Sequence, residues 1–331
     1  MLPSPFADDA THQLRELVRS GRFSEALEWY RQVEGSLAGR RADARLLAAT
    51  AATRLGEFPA AEGLADGALA QFRARGDVDG RMRALNLLGV IRFERGRMNE
   101  AEQSLAEALN LATQLGDSLT AARACNNLAS AMHLRGRPDE AVGLYRGALL
   151  AYQRLGDRRG TAEAYHNLAL IYRQQGEWRN AENATDEAIR HATIVGERGL
   201  MALATTGRAE LMAERSQLAQ ARQELERAGR WAAEAGDEVG RAEVARVHAL
   251  VALKEGALDE ALAAADSAHA TARTYDSVVL EAECAALLAL ILKRLGRAAD
   301  AEERRAEALA GFERLAAEHL RERFEADWKT K

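Results

Sequence analysis

The chain has 331 residues, a net charge of −5, 47% hydrophobic residues and only 5% aromatics. That apolar share is too high for a disordered tail, and so mild a charge gives no whole-molecule pull toward nucleic acid or membrane. With only 4 prolines and an excess of Ala, Leu, Glu and Arg, the composition favours helices, because these side chains lose little rotamer freedom there.

The N-terminus, Met1-Leu2-Pro3-Ser4-Pro5-Phe6, lacks the basic and apolar stretches of a secretory signal, and residues 1–6 are expected to be disordered. The helical pattern then begins near residue 7 and recurs with a period of 40 residues, giving repeats near 7–40, 41–80, 81–120, 121–160, 161–200, 201–240, 241–280 and 281–320. One column of the repeat is Ala61, Ala101, Ala141, Ala181, Ala221, Ala261 and Ala301, with Ala26 in the short first unit. A second, seven residues on, is Ala68, Ala108, Ala148, Ala188, Ala228, Ala268 and Ala308. Two residues seven apart share one helical stripe, and small side chains there let paired helices approach closely.

Two glycine columns divide each repeat. One is Gly56, Gly96, Gly136, Gly176, Gly256 and Gly296, with Ser216 the exception; the other is Gly76, Gly116, Gly156, Gly196 and Gly236, each followed by Asp or Glu. Glycine takes the left-handed conformation that ends a helix, and the acid after it suits the next N-terminus. The spacing predicts one helix of roughly 18–20 residues and a second, shorter one of about 15. At the end of the eighth repeat Ala316-Ala317-Glu318 replaces the Gly-Asp stop. The last helix is therefore expected to run on to about Asp327, making 316–331 a capping extension. Arg208 and His248 stand where Leu usually fills the space between helices.

Little chemistry can be assembled from the remaining residues. Cys125 and Cys284 form no CxxC pair, which fits a reducing compartment, and none of the seven histidines forms HxxxH or HExxH. Phosphate-binding loops and nucleophile elbows are missing. Acid pairs such as Asp139-Glu140 lie at helix starts, where the helix dipole favours them. No catalytic residue, metal ligand or cofactor is expected, so the chain reads as no enzyme. The longest apolar run, 285–292, cannot span a bilayer, and a cytoplasmic location follows. Basic residues are nearly all Arg, which points to a bacterial, GC-rich source.

The segments NLLGVIRFERGRMNEAEQSLAEAL (86–109) and NLALIYRQQGEWRNAENATDEAI (167–189) resemble the tetratricopeptide repeat. The 40-residue period and the LGD linkers at 115–117 and 155–157 are similar to the long-repeat subtype of Pins/LGN-type adaptors, kinesin light chains and bacterial regulators. The resemblance implies an all-α fold: a right-handed superhelical solenoid of about eight helix-turn-helix repeats whose concave groove is lined by the first helix of each. A protein-binding adaptor or scaffold is implied, its partner another protein or an extended or helical peptide. No nucleic acid and no membrane are expected as partners, and the chain is expected as a monomer or homodimer.

Mapped in the family's register, the groove residues are Asn86, Phe93, Arg123, Asn126, Asn127, His133, His166, Asn167 and Arg173. Asn127 and Asn167 occupy the position where peptide-binding relatives carry Asn, whose amide can pair with a backbone N–H and C=O together. The two histidines are expected to be hydrogen-bonded or solvated rather than a pH switch. A basic zone at 121–160, seven Arg against three acids, adds local charge, and the C-terminal stretch Glu243, Arg246, Leu250 and Leu253 is the other candidate surface. Two other readings remain open: a ligand- or peptide-responsive regulator, and a self-assembling scaffold. The regulator would usually carry an effector domain before the repeats, and with the repeats beginning near residue 7 none is expected here.

Overall fold

The computed structural model describes residues 5–35 and 41–330, and among these every regular element is an α-helix. The first part of the segment expected to be disordered, residues 1–4, lies outside the described residues, but Pro5 and Phe6 are already helical. Proline fits a first turn because its missing N–H has no partner to lose there.

The chain divides into two compact units, Met1–Asn127 and Leu128–Lys331. The first holds α1 (Pro5–Arg19), α2 (Phe23–Val33), α3 (Ala42–Arg54), α4 (Phe58–Arg75), α5 (Val78–Glu94), α6 (Met98–Leu115) and the start of α7 (Ser118–Leu134). The second continues with α8 (Pro138–Leu155), α9 (Arg158–Gln174), α10 (Trp178–Val195), α11 (Arg198–Glu214) and α12 (Leu218–Ala235). It closes with α13 (Glu238–Glu255), α14 (Leu258–Thr274), α15 (Val278–Arg294), α16 (Ala298–Arg314) and α17 (Glu318–Thr330). Odd-numbered helices from α3 to α15 are the first helices of their repeats.

The two helices of a repeat are nearly equal, 17 residues in α5 and 18 in α6, so the expected shorter helix is longer than the glycine spacing implied. The difference lies in the joint, which uses very few residues. Gly76 sits at φ 68°, its N–H reaches the Arg73 carbonyl and the Asp77 N–H the Phe72 carbonyl. Asp77 then caps α5 by accepting from the Gly80 N–H at 2.8 Å. One glycine and one acid thus end one helix and start the next. Asp157 and Asp237 cap α9 and α13 in the same way.

Among the described residues, three joints manage without glycine: Ser216, Asp276 and Ala316 adopt φ of 62°, 51° and 50°. The last of these corrects the expected run-on helix. The chain breaks after Arg314 and α17 starts afresh at Glu318. Leu315 and Ala317 are fully buried on either side of Ala316, and the Ala317 N–H closes on the Phe312 carbonyl at 2.9 Å. Burial of the flanking side chains holds a turn that the backbone alone disfavours.

Both alanine columns pack as their spacing requires. Ala61, Ala101, Ala141, Ala181 and Ala221 are all at 0% exposure. Gly89, at the small position of α5, packs so tightly on α6 that a Cβ there would lie 2.4 Å from Leu105 Cγ. Arg208 and His248 escape the core sideways: Arg208 donates to Glu224 at 2.6 Å, and Arg222 links His248 to Glu255 and Glu260. Among the described residues no helix is long and apolar enough to cross a membrane.

Candidate functional site

In the first unit, the amides of the first helices meet. Asn127 Nδ2 donates to Asn86 Oδ1 at 3.4 Å, joining α7 to α5 through two half-buried side chains. Phe93 is partly buried two turns further along α5. Arg83 ties α5 to α3 through Asp43 at 3.3 Å while also holding Asp79 at 2.9 Å. Asn126 turns into the structure, at 5% exposure, whereas Arg123 is exposed.

In the second unit, His133 Nε2 lies 2.6 Å from Gln174 Oε1 and its ring stacks on His319 at 6.0 Å. Burial pushes its pKa down to about 4. His166 packs beside Gly207 of α11, close enough that a Cβ there would lie 3.0 Å from the imidazole, and burial likewise lowers it to about 4. Both rings are therefore neutral at physiological pH. Asn167 is half-buried.

Arg173 is not a free cation awaiting a ligand. Its side chain is 8% exposed and paired with Glu210 of α11, with Glu214 at 3.9 Å. Glu210 in turn accepts from Arg246 of α13 at 3.2 Å, and Arg246 also holds Glu243 and, at 3.3 Å, Glu283 of α15. Although burial works against its charge, the two guanidinium groups hold the Glu210 carboxyl well below the usual range. Glu283 is displaced the other way, upward, by its own burial. A row of ion pairs thus crosses four consecutive first helices.

The spacings within this row are 37, 36 and 37 residues, one helical turn short of the repeat. A search in strict 40-residue register passes over it. An oblique search for alternating charge would have found it. Two further groupings were also hidden. His269, Glu281 and Glu307 come within 4.8 Å of one another, yet Arg273 and Arg304 already occupy the two carboxylates. A shallow hollow of about 330 Å³ is lined by Arg146, Leu149, Tyr165, Tyr172 and Asn183, with Arg146 donating to the Tyr172 hydroxyl at 2.9 Å.

Residues 80–146 and 117–193 match the family model described as tetratricopeptide repeat. No curated protein matches the chain. Among solved structures, it is similar to a Rap protein complexed with competence and sporulation factor: 13% identity, 95% of this chain and 99% of that one, TM-score 0.71. The Rap conjugation gene regulator of plasmid pLS20, in complex with the Phr* peptide, is similar at 14% identity, over 95% and 97% of the two chains, TM-score 0.71. NprR in complex with its cognate peptide NprX is similar at 15% identity over 100% of each chain, TM-score 0.65. At such identities the likeness is one of fold.

Proposed function

We propose that this chain, a tetratricopeptide-repeat protein, is a non-enzymatic adaptor that holds a peptide or an extended or helical protein segment against its first helices, in the bacterial cytoplasm. The observation that carries this reading is the polar lining of those helices. Asn86 and Asn127 meet amide to amide across neighbouring repeats, and Asn167 follows one repeat on. A solenoid that served only as a spacer would gain more from aliphatic side chains at such positions, since each buried amide must find a partner. A carboxamide pairs with both polar groups of a peptide unit, so Asn86 with Asn127 in the first unit, and Asn167 in the second, can each hold a chain irrespective of its side chains. Phe93 supplies an apolar anchor beside them.

A second reading, a peptide-responsive regulator, is favoured by the likeness to the Rap proteins and NprR, which extends over nearly the whole of both chains. The two readings share one site and differ in what binding triggers. Affinity capture from the source organism tests the shared part. The full chain is expected to recover a partner that the Asn127→Ala/Asn167→Ala variant loses and the outer-face Glu302→Ala/Glu303→Ala variant keeps. Equal recovery by all three would remove the amides from the site.

A further inference from the structure

The C-terminal helix does more than cover an end. Its stripe Leu320, Phe324 and Trp328 follows the i, i+4, i+8 spacing of an amphipathic helix. Phe324 is buried and meets Phe312 of α16 at 6.1 Å, while Trp328 lies between Lys293 of α15 at 4.7 Å and Arg305 of α16 at 5.2 Å. Those contacts are local. Two others reach far back along the unit: His319 stacks on His133 at the end of α7, and Arg323 pairs with Glu214 at the end of α11, at 2.9 Å. Within the second unit α17 therefore touches the ends of three first helices, α7, α11 and α15.

Charge explains the choice of segment. Across α9 to α15 the ionic row and its edge offer Glu210, Glu214, Glu243 and Glu283 against Arg173 and Arg246, two carboxylates in excess. Arg323 supplies one of the missing cations from outside the row. Its own side chain is 55% exposed, however, and among the residues of α17 only Phe324 is fully buried. The helix also hangs on Ala316, a residue with a side chain in the left-handed region. A segment held by one buried ring, one exposed ion pair and a disfavoured joint is drawn from the low-stability end of a structure.

Resting on the adaptor reading above, we propose that the surface α17 covers, with Glu214 at one edge and Phe312, Lys293 and Arg305 at the other, docks an amphipathic helix bearing an arginine beside an aromatic stripe, and that α17 is the chain's resident occupant, displaced when such a partner binds. The partner's chemistry is then written in α17 itself: an apolar residue at every fourth position, the last two aromatic, with a guanidinium on the flank that meets Glu214. This is helix-in-groove recognition, with the self-contact setting a threshold that the partner must exceed.

The test uses the full chain and a fluorescent synthetic peptide of residues 316–331. Arg323→Glu turns the resident helix's anchor into a repulsion and is expected to raise peptide affinity roughly tenfold over wild type, with faster hydrogen exchange along α17. A peptide carrying the same Arg323→Glu change should bind neither chain, and Glu214→Arg should restore its binding. Equal affinity of the unaltered peptide for wild type and Arg323→Glu would overturn the proposal. So would a concentration-dependent dimer by light scattering that Arg323→Glu dissociates, because α17 would then serve a second copy. Loss of the captured partner in the Asn127→Ala/Asn167→Ala variant alongside equal peptide affinity of wild type and Arg323→Glu would sink this proposal alone. The reverse pattern would sink the amide site and leave this proposal standing.

Discussion

Replacing Arg173 by Leu should be among the most damaging single changes in the second unit, although Arg173 touches none of the alanine or glycine columns. Its guanidinium is 8% exposed and its partner Glu210 10%, so water cannot replace the lost ion pair. Glu210 would keep Arg246 at 3.2 Å, but Arg246 is already shared with Glu243 and Glu283. Removing one member of a buried pair typically costs about 3–5 kcal/mol, since the remaining charge stays desolvated. At roughly 2–4 °C per kcal/mol for a unit of this size, the melting midpoint should fall by about 6–20 °C. Removing both charges tests the cause: Arg173→Leu/Glu210→Leu should be milder than Arg173→Leu alone, because Arg246 retains two carboxylates. Differential scanning calorimetry on the three chains measures this. A shift under about 2 °C for the single variant, or a double variant worse than the single, would refute the reasoning.

Ala141→Leu should overpack a fully buried helix crossing and cost about 1–3 kcal/mol, while the neighbouring Glu140→Gln stays within about 0.5 kcal/mol in urea titrations. Gly89→Ala should cost a similar 1–3 kcal/mol or so, because its Cβ would enter the Leu105 side chain at 2.4 Å; unchanged melting would mean α5 and α6 are looser than described. Acid should destabilise the second unit. His133 and His166 titrate near 4 when folded against an ordinary 6.5, so the unfolded chain binds more protons between those values. The stability they contribute is complete above pH 6.5 and is lost as pH falls through 4, at most roughly 3 kcal/mol for each ring. His166→Gln should flatten that slope in melting curves taken from pH 7 to 4, and a slope identical to wild type would exclude the imidazole as its source.

The fold was legible because its determinants repeat in register. Ala61 and its successors lie where helices cross, and Gly76 with Asp77 performs a stop and a start that nearly every repeat needs. The break at Ala316 was not legible, since it is held by the burial of Leu315 and Ala317 on either side rather than by a glycine in the chain. Helix lengths were misjudged for a related reason: a joint that closes within two or three residues gives its spare positions to the helices it joins.

The site was legible only in part. Asn86 and Asn127, 41 residues apart, stay almost in register, and they do meet. Arg173 was named, but its pairing was not foreseen, because its partner Glu210 lies one turn out of register. Nothing local announces that Arg323 will reach Glu214, 109 residues away, or that His319 will stack on His133. Such pairings depend on how successive repeats are turned, a property shared among many small packing angles and visible at no single residue.

The central claim, that first-helix amides hold a partner segment, is tested most directly by titration calorimetry of the captured partner segment against wild type and the Asn127→Ala/Asn167→Ala chain. Each lost buried hydrogen bond should cost about 1–3 kcal/mol, so the double variant should bind at least roughly tenfold more weakly, with its melting temperature almost unchanged. Full affinity in a normally folded double variant would contradict the account and shift the site to the Glu243, Arg246, Leu250 and Leu253 stretch.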